Sequence, residues 1–236
     1  FVLKSRGHVA VVDVGRDPQP VSDCLKRIGV SSIDLLVLTH FDFDHVGGLS
    51  GAERGRQIRL ALISPFPDER PTALFMKRAL TDVARQVVVA DFGLTGDLGG
   101  ISWTVFSSLG DRAESSNQAS LGIRFENSDM VVYMLADLDE RAQAEAVASV
   151  SVSAKPTIVK VSHHGSADQS AEFYRKIDAD LALISVGVGN SYGHPTSKIL
   201  RILDDLGTRV FRTDKQGAIS VKVNHGVIEA LVAGAR

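Results

Sequence analysis

A chain of 236 residues, 44% of them hydrophobic and 23% charged, can bury a sizeable core and has neither the composition of a disordered tail nor that of a fibre. Its formal charge of −2 excludes a globally basic nucleic-acid binder, so any nucleic acid would be held by a local patch or through metal. Cys24 is the only cysteine, which rules out an intrachain disulfide framework and a thiolate zinc site, and no apolar run approaches the roughly 18 residues that a membrane span needs.

Phe1 reads as already inside a strand, so the expectation is a chain that enters its first strand partway. Val9 to Val14 is apolar and β-branched and predicts a buried strand ending at Asp13-Val14-Gly15. A helix is predicted over Pro20 to Ile28, with Gly29 as its C-cap. The run Ile33 to Leu38 predicts a second buried strand, which leads straight into Thr39-His40-Phe41-Asp42-Phe43-Asp44-His45-Val46-Gly47-Gly48, where the glycines would let the backbone turn as a helix begins. Ile58 to Ile63 and Val87 to Ala90 read as strands around a helix at Pro71 to Arg85.

Strands at Ile101 to Phe106, Ser120 to Phe125 and Met130 to Leu135 follow, with the pattern of an antiparallel meander. Asp139 can cap a helix to Val150. Thr157 to Val161 predicts a strand that delivers Ser162-His163-His164-Gly165-Ser166, followed by a short helix from Ser170 to Ile177. Leu181 to Val186 predicts another, ending in a Gly-rich loop with Asn190, Tyr192 and His194. A helix from Thr196 to Leu206 and strands at Arg209 to Arg212, Ala218 to Val223 and Val227 to Val232 complete the chain, with a hairpin turn at Asn224-His225-Gly226. No linker divides this order, so one domain over 1–236 is expected, an α/β sandwich of two sheets flanked by helices.

Five of the seven histidines lie in three clusters, each at the C-terminal end of a predicted strand: His40 with His45, His163 with His164, and His194. If those strands share a sheet, the clusters meet at its edge, and Asp137 joins them at the end of its own strand. Mixed imidazole and carboxylate ligands without thiolate suit Zn²⁺, Mn²⁺ or Fe²⁺, and Asp42 hardens the set toward Mn²⁺. There are enough ligands for two ions, and a pair about 3.5 to 4 Å apart suits phosphodiester hydrolysis. Asp137 read by itself is equally a helix-capping carboxylate. His8 and His225 read as surface or turn residues, Trp103 and Phe106 as core, and Lys160 as pointing to one sheet face with no readable role.

The block His40-x-Asp42-x-Asp44-His45 after a strand, then Asp137 in Leu-Ala-Asp, then His163 in Val-Ser-His-His, resembles the signature of the metallo-β-lactamase superfamily. The blocks Thr39 to Leu49, Ser116 to Leu121, Ser162 to Ser166, Asn190 to Pro195 and Arg212 to Ala218 resemble in order the C-terminal hydrolase domain of ComEC-type competence proteins, which carry Asp in place of the second His. The resemblance implies an αββα four-layer sandwich. It also implies two divalent ions, Mn²⁺ favoured with Zn²⁺ as the second candidate, the first held by His40, Asp42 and Asp137 and the second by Asp44, His45, Asp137 and His163. The implied activity is a metal-dependent nuclease acting on DNA, a single strand above all, during DNA uptake.

In that reading Asp44 and His194 are catalytic, His194 protonating or steadying the leaving oxygen, while His164, Ser166, Asn190 and Tyr192 position phosphate. Three departures stand out. The family's opening block is missing, Ala136 replaces the Gly before the bridging Asp, and no His lies between Gly48 and Asp137 where many members carry a third motif, which predicts one weakly held ion. The membrane channel domain of full-length competence proteins is also absent, leaving open an excised domain or a stand-alone relative, cytoplasmic or at a membrane surface. Two other readings remain at this level: a hydrolase of a small phosphodiester, lactone or β-lactam, and a non-catalytic nucleic-acid-binding module.

Overall fold

The computed structural model describes residues 1–234; Ala235 and Arg236, the end of the expected 1–236 domain, lie outside the described residues. The chain forms two compact units, Phe1–Leu121 and Gly122–Arg236. Among the described residues no helix is long and apolar enough to cross a membrane.

The first unit is built on a five-stranded sheet of β1 (Val2–Ser5), β2 (His8–Val12), β3 (Ser32–Leu38), β4 (Gln57–Ile63) and β5 (Ala84–Val89), in that spatial order. Strand β1 pairs antiparallel with β2, and β2 to β5 are parallel. The central strand β3 is apolar on both faces, with Ile33, Leu35, Leu36, Val37 and Leu38 all buried, as a parallel strand covered on two sides requires. Around the sheet lie α1 (Pro18–Arg27), α2 (Phe43–Val46), α3 (Leu49–Glu53) and α4 (Pro71–Val83), while β6 (Thr95–Asp97), a strand the apolar pattern does not predict, pairs with β7 (Ser102–Ser107). Helix α1 starts two residues earlier than expected because Pro18 is itself acceptable in a first helical turn.

Parallel pairing puts the C-terminal ends of β2, β3 and β4 on one edge. Val12 lies opposite Val37 and Leu38 opposite Ile63. The residues that follow these strands, Asp13, Thr39–His45 and Ser64–Arg70, are therefore delivered to the same place.

Gly47 and Gly48 have a different role from the one expected. Neither adopts a left-handed conformation: both have negative φ, −59° and −78°. A side chain at Gly47 would collide with the Arg16 carbonyl, one at Gly48 with the Val14 carbonyl, and one at Gly51 in α3 with the Pro18 carbonyl. These glycines let the ligand loop lie directly on the backbone that leaves β2. Helix propensity alone predicts that Gly51→Ala stabilises by up to about 1 kcal/mol. Overpacking against rigid backbone instead predicts a loss of about 1–3 kcal/mol, which a shift of the urea midpoint to lower concentration would report.

The second unit contains β8 (Gly122–Glu126), β9 (Val131–Met134), β10 (Thr157–Lys160), β11 (Leu181–Ile184) and β12 (Arg209–Arg212), ordered β12-β11-β10-β9-β8. Strands β8 and β9 are antiparallel and β9 to β12 are parallel, so Asp137, Ser162–His164 and the 185–194 loop leave one edge. Its helices are α5 (Glu140–Ala146), α6 (Ala171–Ile177), α7 (Ser197–Asp205) and α8 (Thr213–Gln216). The Asp139 side chain accepts from Ala142 N at 2.9 Å, so Asp139 caps α5. A separate hairpin, β13 (Ile219–Asn224) and β14 (Val227–Val232), turns through His225 and Gly226, both at positive φ as a two-residue type I′ turn demands.

The strands that carry the histidine clusters do not all share one sheet. His40 and His45 follow a strand of the first unit's sheet, whereas Asp137, His163, His164 and His194 follow strands of another sheet in the second unit. Periodicity identifies buried strands but carries no information on which sheet they join.

Candidate metal ligands

In the first unit the ligand loop is organised from behind by Asp13. Its backbone is left-handed, φ 53°, which Asp tolerates better than most residues, and its amide donates to Val37 O at 2.8 Å. The carboxylate accepts from Thr39 N at 2.9 Å, from Thr39 Oγ1 at 2.9 and 3.0 Å, and from His45 Nδ1 at 2.7 Å. Since the Thr39 hydroxyl proton is directed to Asp13, its oxygen can only accept from His40 Nδ1, 3.1 Å away; Ser120 Oγ lies 3.2 Å from the same nitrogen. One carboxylate thus sets the tautomer of His45 directly and favours the same tautomer of His40 through Thr39. Both Nε2 atoms then carry lone pairs, the form that binds a metal. Burial raises the Asp13 carboxyl, but the electrostatic pull of His45, its hydrogen bond and the pull of His40 outweigh this, and the net displacement is below the ordinary carboxylate range.

The donor spacing fits an ion. Two atoms each about 2.1 Å from one metal lie at most about 4.2 Å apart. His40 Nε2 is 3.8 Å from Asp42 Oδ2, and His45 Nε2 is 3.9 Å from Asp44 Oδ2, with the two imidazole centroids 4.1 Å apart. Asp42 offers Oδ2 alone, because Oδ1 accepts from Arg70 Nη2 at 2.7 Å and Ser116 Oγ at 2.8 Å. Arg70 is in turn held by Asp68 through Nε at 2.9 Å and Nη2 at 2.6 Å. The 116–120 segment, which stands in chain order where a third-motif histidine was sought, supplies hydroxyls behind Asp42 and His40.

In the second unit Asp137 Oδ2 lies 3.8 Å from His163 Nε2 and 3.7 Å from His164 Nε2. His164 Nδ1 donates to Ser185 O at 2.7 Å, leaving Nε2 with a lone pair; His163 Nδ1 is buried with no hydrogen-bond partner among the described residues. Both histidines are left-handed, φ 46° and 54°, a conformation that turns two successive imidazoles toward one carboxylate. His164, expected to contact phosphate, therefore stands beside Asp137 as His163 does.

Buried amides and hydroxyls hold these loops. Gln143 Nε2 and Ser162 Oγ both donate to Leu138 O, each at 2.6 Å, and the Tyr174 hydroxyl accepts from Ser162 N at 3.1 Å and donates to Gln169 Oε1 at 2.8 Å. Each member is satisfied, which makes such a network rigid. Of the expected phosphate contacts, Ser166 is buried and its Oγ accepts from Asp168 N and Gln169 Nε2, while Asn190 brackets His194, accepting from its N at 3.1 Å and donating to its O at 2.8 Å. Tyr192, 80% exposed, is open to a ligand, and its ring lies 5.9 Å from that of His194.

Burial first, then electrostatic repulsion from His163 and His164, lower the His194 imidazole below the usual histidine value against the pull of Asp137. The unfolded chain, with a value of about 6.5, then binds more protons than the folded one as pH falls, so this group's effect on stability is absent above that value and unfavourable below it. NMR titration of the metal-free protein is expected to place the His194 midpoint below about 6.5; a midpoint above that value would contradict the packing described.

The family model described as "Metallo-beta-lactamase superfamily" matches residues 1–185, and the chain belongs to that superfamily, whose metal-dependent hydrolase fold it has. Over 204 residues it is 30% identical to ComE operon protein 3 of Bacillus subtilis (strain 168), a match spanning 84% of this chain and 26% of that protein. Over 230 residues it is 24% identical to Competence protein ComA of Neisseria gonorrhoeae, spanning 97% and 30%. The chain therefore covers less than a third of either curated relative. A solved metal-dependent hydrolase of the beta-lactamase superfamily superposes with a TM-score of 0.55 at 9% identity, over 98% of this chain and 91% of that one, a likeness of fold.

Proposed function

We propose that this chain hydrolyses phosphodiesters with two divalent ions, Mn²⁺ favoured and Zn²⁺ second, and that its substrate is DNA. The ligands that the resemblance implies are His40, Asp42, Asp44 and His45 in the first unit and Asp137 and His163 in the second, where His164 is a further candidate. The observation that carries this reading is that histidines in both units have Nε2 presented beside a carboxylate by hydrogen bonds at Nδ1. Similarity to two relatives, one of them named a competence protein, supports DNA uptake as the setting and a membrane channel domain as the partner.

A bound divalent ion supplies Lewis acidity toward a phosphoryl oxygen and acidity to an attacking water. The chain's residues do the positioning. Asp13 and Ser185 hold the tautomers, Asn190 sets the His194 backbone, and His194 would protonate or steady the leaving oxygen. Tyr192 offers an exposed hydroxyl and ring to the strand.

End-labelled single- and double-stranded DNA, assayed beside a chromogenic phosphodiester in Mn²⁺, Zn²⁺ and Mg²⁺, tests the substrate. Cleavage of DNA in Mn²⁺ is expected. Turnover of the small ester alone would move the reading to a small-molecule hydrolase, and binding of DNA without metal or cleavage would move it to a binding module.

A further inference from the structure

Lys160 ends β10 between Val159 and Val161, both buried, and is itself only 4% exposed. Moving an ammonium out of water costs several kcal/mol unless specific partners offset it, and an apolar residue would complete this strand interior without that cost. Its partners both belong to the segment carrying the candidate bridging carboxylate. Nζ donates to Ala136 O at 2.7 Å and stands 3.6 Å from Asp137 Oδ1.

Two further observations give this arrangement a purpose. Ala136 is left-handed, φ 49°, without being glycine, a conformation that costs about 1–2 kcal/mol and must be held by its surroundings. Its carbonyl also accepts from His163 N at 3.0 Å, so the two loops bearing Asp137 and His163 are joined at one oxygen, which Lys160 ties to β10. The 3.6 Å separation from Asp137 is too long for a hydrogen bond and short enough for strong attraction. Lys160 can thus orient the carboxylate without itself hydrogen-bonding to it.

We propose that Lys160 is a positioning residue for Asp137: by tying the Ala136 carbonyl and attracting Oδ1, it keeps Oδ2 turned toward His163 and His164. The proposal rests on the reading of Asp137 as a metal ligand. Lys160→Met keeps the apolar stem and removes the ammonium. Outer partners of metal ligands typically contribute 10–100-fold in affinity, so Lys160→Met should bind Mn²⁺ at least about tenfold more weakly in a chelator competition, with kcat reduced and KM unchanged on a phosphodiester. Its urea midpoint should hold or rise, because replacing a buried ion by a well-packed apolar group is often neutral or stabilising.

A merely structural lysine gives the opposite pattern, a lower midpoint with unchanged metal affinity in the folded protein. A second variant, Lys160→Cys in a Cys24→Ser background, aminoethylated while unfolded and then refolded, restores an ammonium at the same reach and should recover Mn²⁺ affinity. Wild-type affinity in Lys160→Met, or no recovery on aminoethylation, would overturn the proposal alone. A wild-type chain that binds neither Mn²⁺ nor Zn²⁺ would overturn the metal reading and this proposal with it.

Discussion

Asp13→Asn is expected to leave the fold intact and to weaken metal binding by about 10–100-fold, with a matching loss of metal-dependent cleavage. The amide oxygen can still accept from Thr39 N and Oγ1. The amide nitrogen, however, would face His45 Nδ1 where Oδ2 now accepts at 2.7 Å. Two donors cannot share that contact, so the imidazole proton must move to Nε2, the atom proposed to bind metal. A change of tautomer behind a functional histidine is known to be costly even where geometry is kept. Asp13→Ala should do more damage of a different kind. It strands Thr39 N, Thr39 Oγ1 and His45 Nδ1 without their acceptor, at about 1–3 kcal/mol for each buried donor left unsatisfied, and the loss should register in urea unfolding as well as in metal binding. The pair of variants separates tautomer from scaffold: metal affinity falls in both, stability chiefly in the alanine.

The second large effect belongs to Asp44. Its side chain is 43% exposed, so Asp44→Ala should fold with little change in stability. Its carboxylate nevertheless stands 3.9 Å from His45 Nε2, in the first turn of a helix that begins at Phe43. If the two groups share an ion, its removal forfeits several kcal/mol of transition-state stabilisation, on the order of a thousandfold in rate. Metal analysis of the folded variant should show about one equivalent lost. Full activity in a well-folded Asp44→Ala protein would remove Asp44 from the catalytic assignment.

The ligand loop was legible because everything that identifies it is local. An apolar β3 followed at once by His40, Asp42, Asp44 and His45 needs no knowledge of tertiary structure. The same holds for the Asn224-to-Val227 turn and the Asp139 cap, where a few adjacent residues decide the geometry. What escaped is assembled across the chain. Asp13 ends a predicted strand, yet only the parallel register of β2 and β3 brings it to Thr39 and His45. Arg70 and Ser116 meet Asp42 from 28 and 74 residues away and carry no local sign of it. Lys160 in an apolar strand resembles any snorkelling lysine until its burial is known. Gln143, Gln169 and Tyr174 carry no local sign that they hold the backbone beside Asp137 and His163. Gly47 and Gly48 were visible as necessary; the reason, close approach to the backbone after β2, was not.

Purified chain stripped of metal by chelation, then assayed on end-labelled single-stranded DNA before and after addition of Mn²⁺, tests the central claim most directly. The expected result is no cleavage of the stripped protein, cleavage restored by Mn²⁺, and no restoration in Asp44→Ala. Cleavage that persists without metal, or equal cleavage by wild type and Asp44→Ala after Mn²⁺ is added, would contradict it.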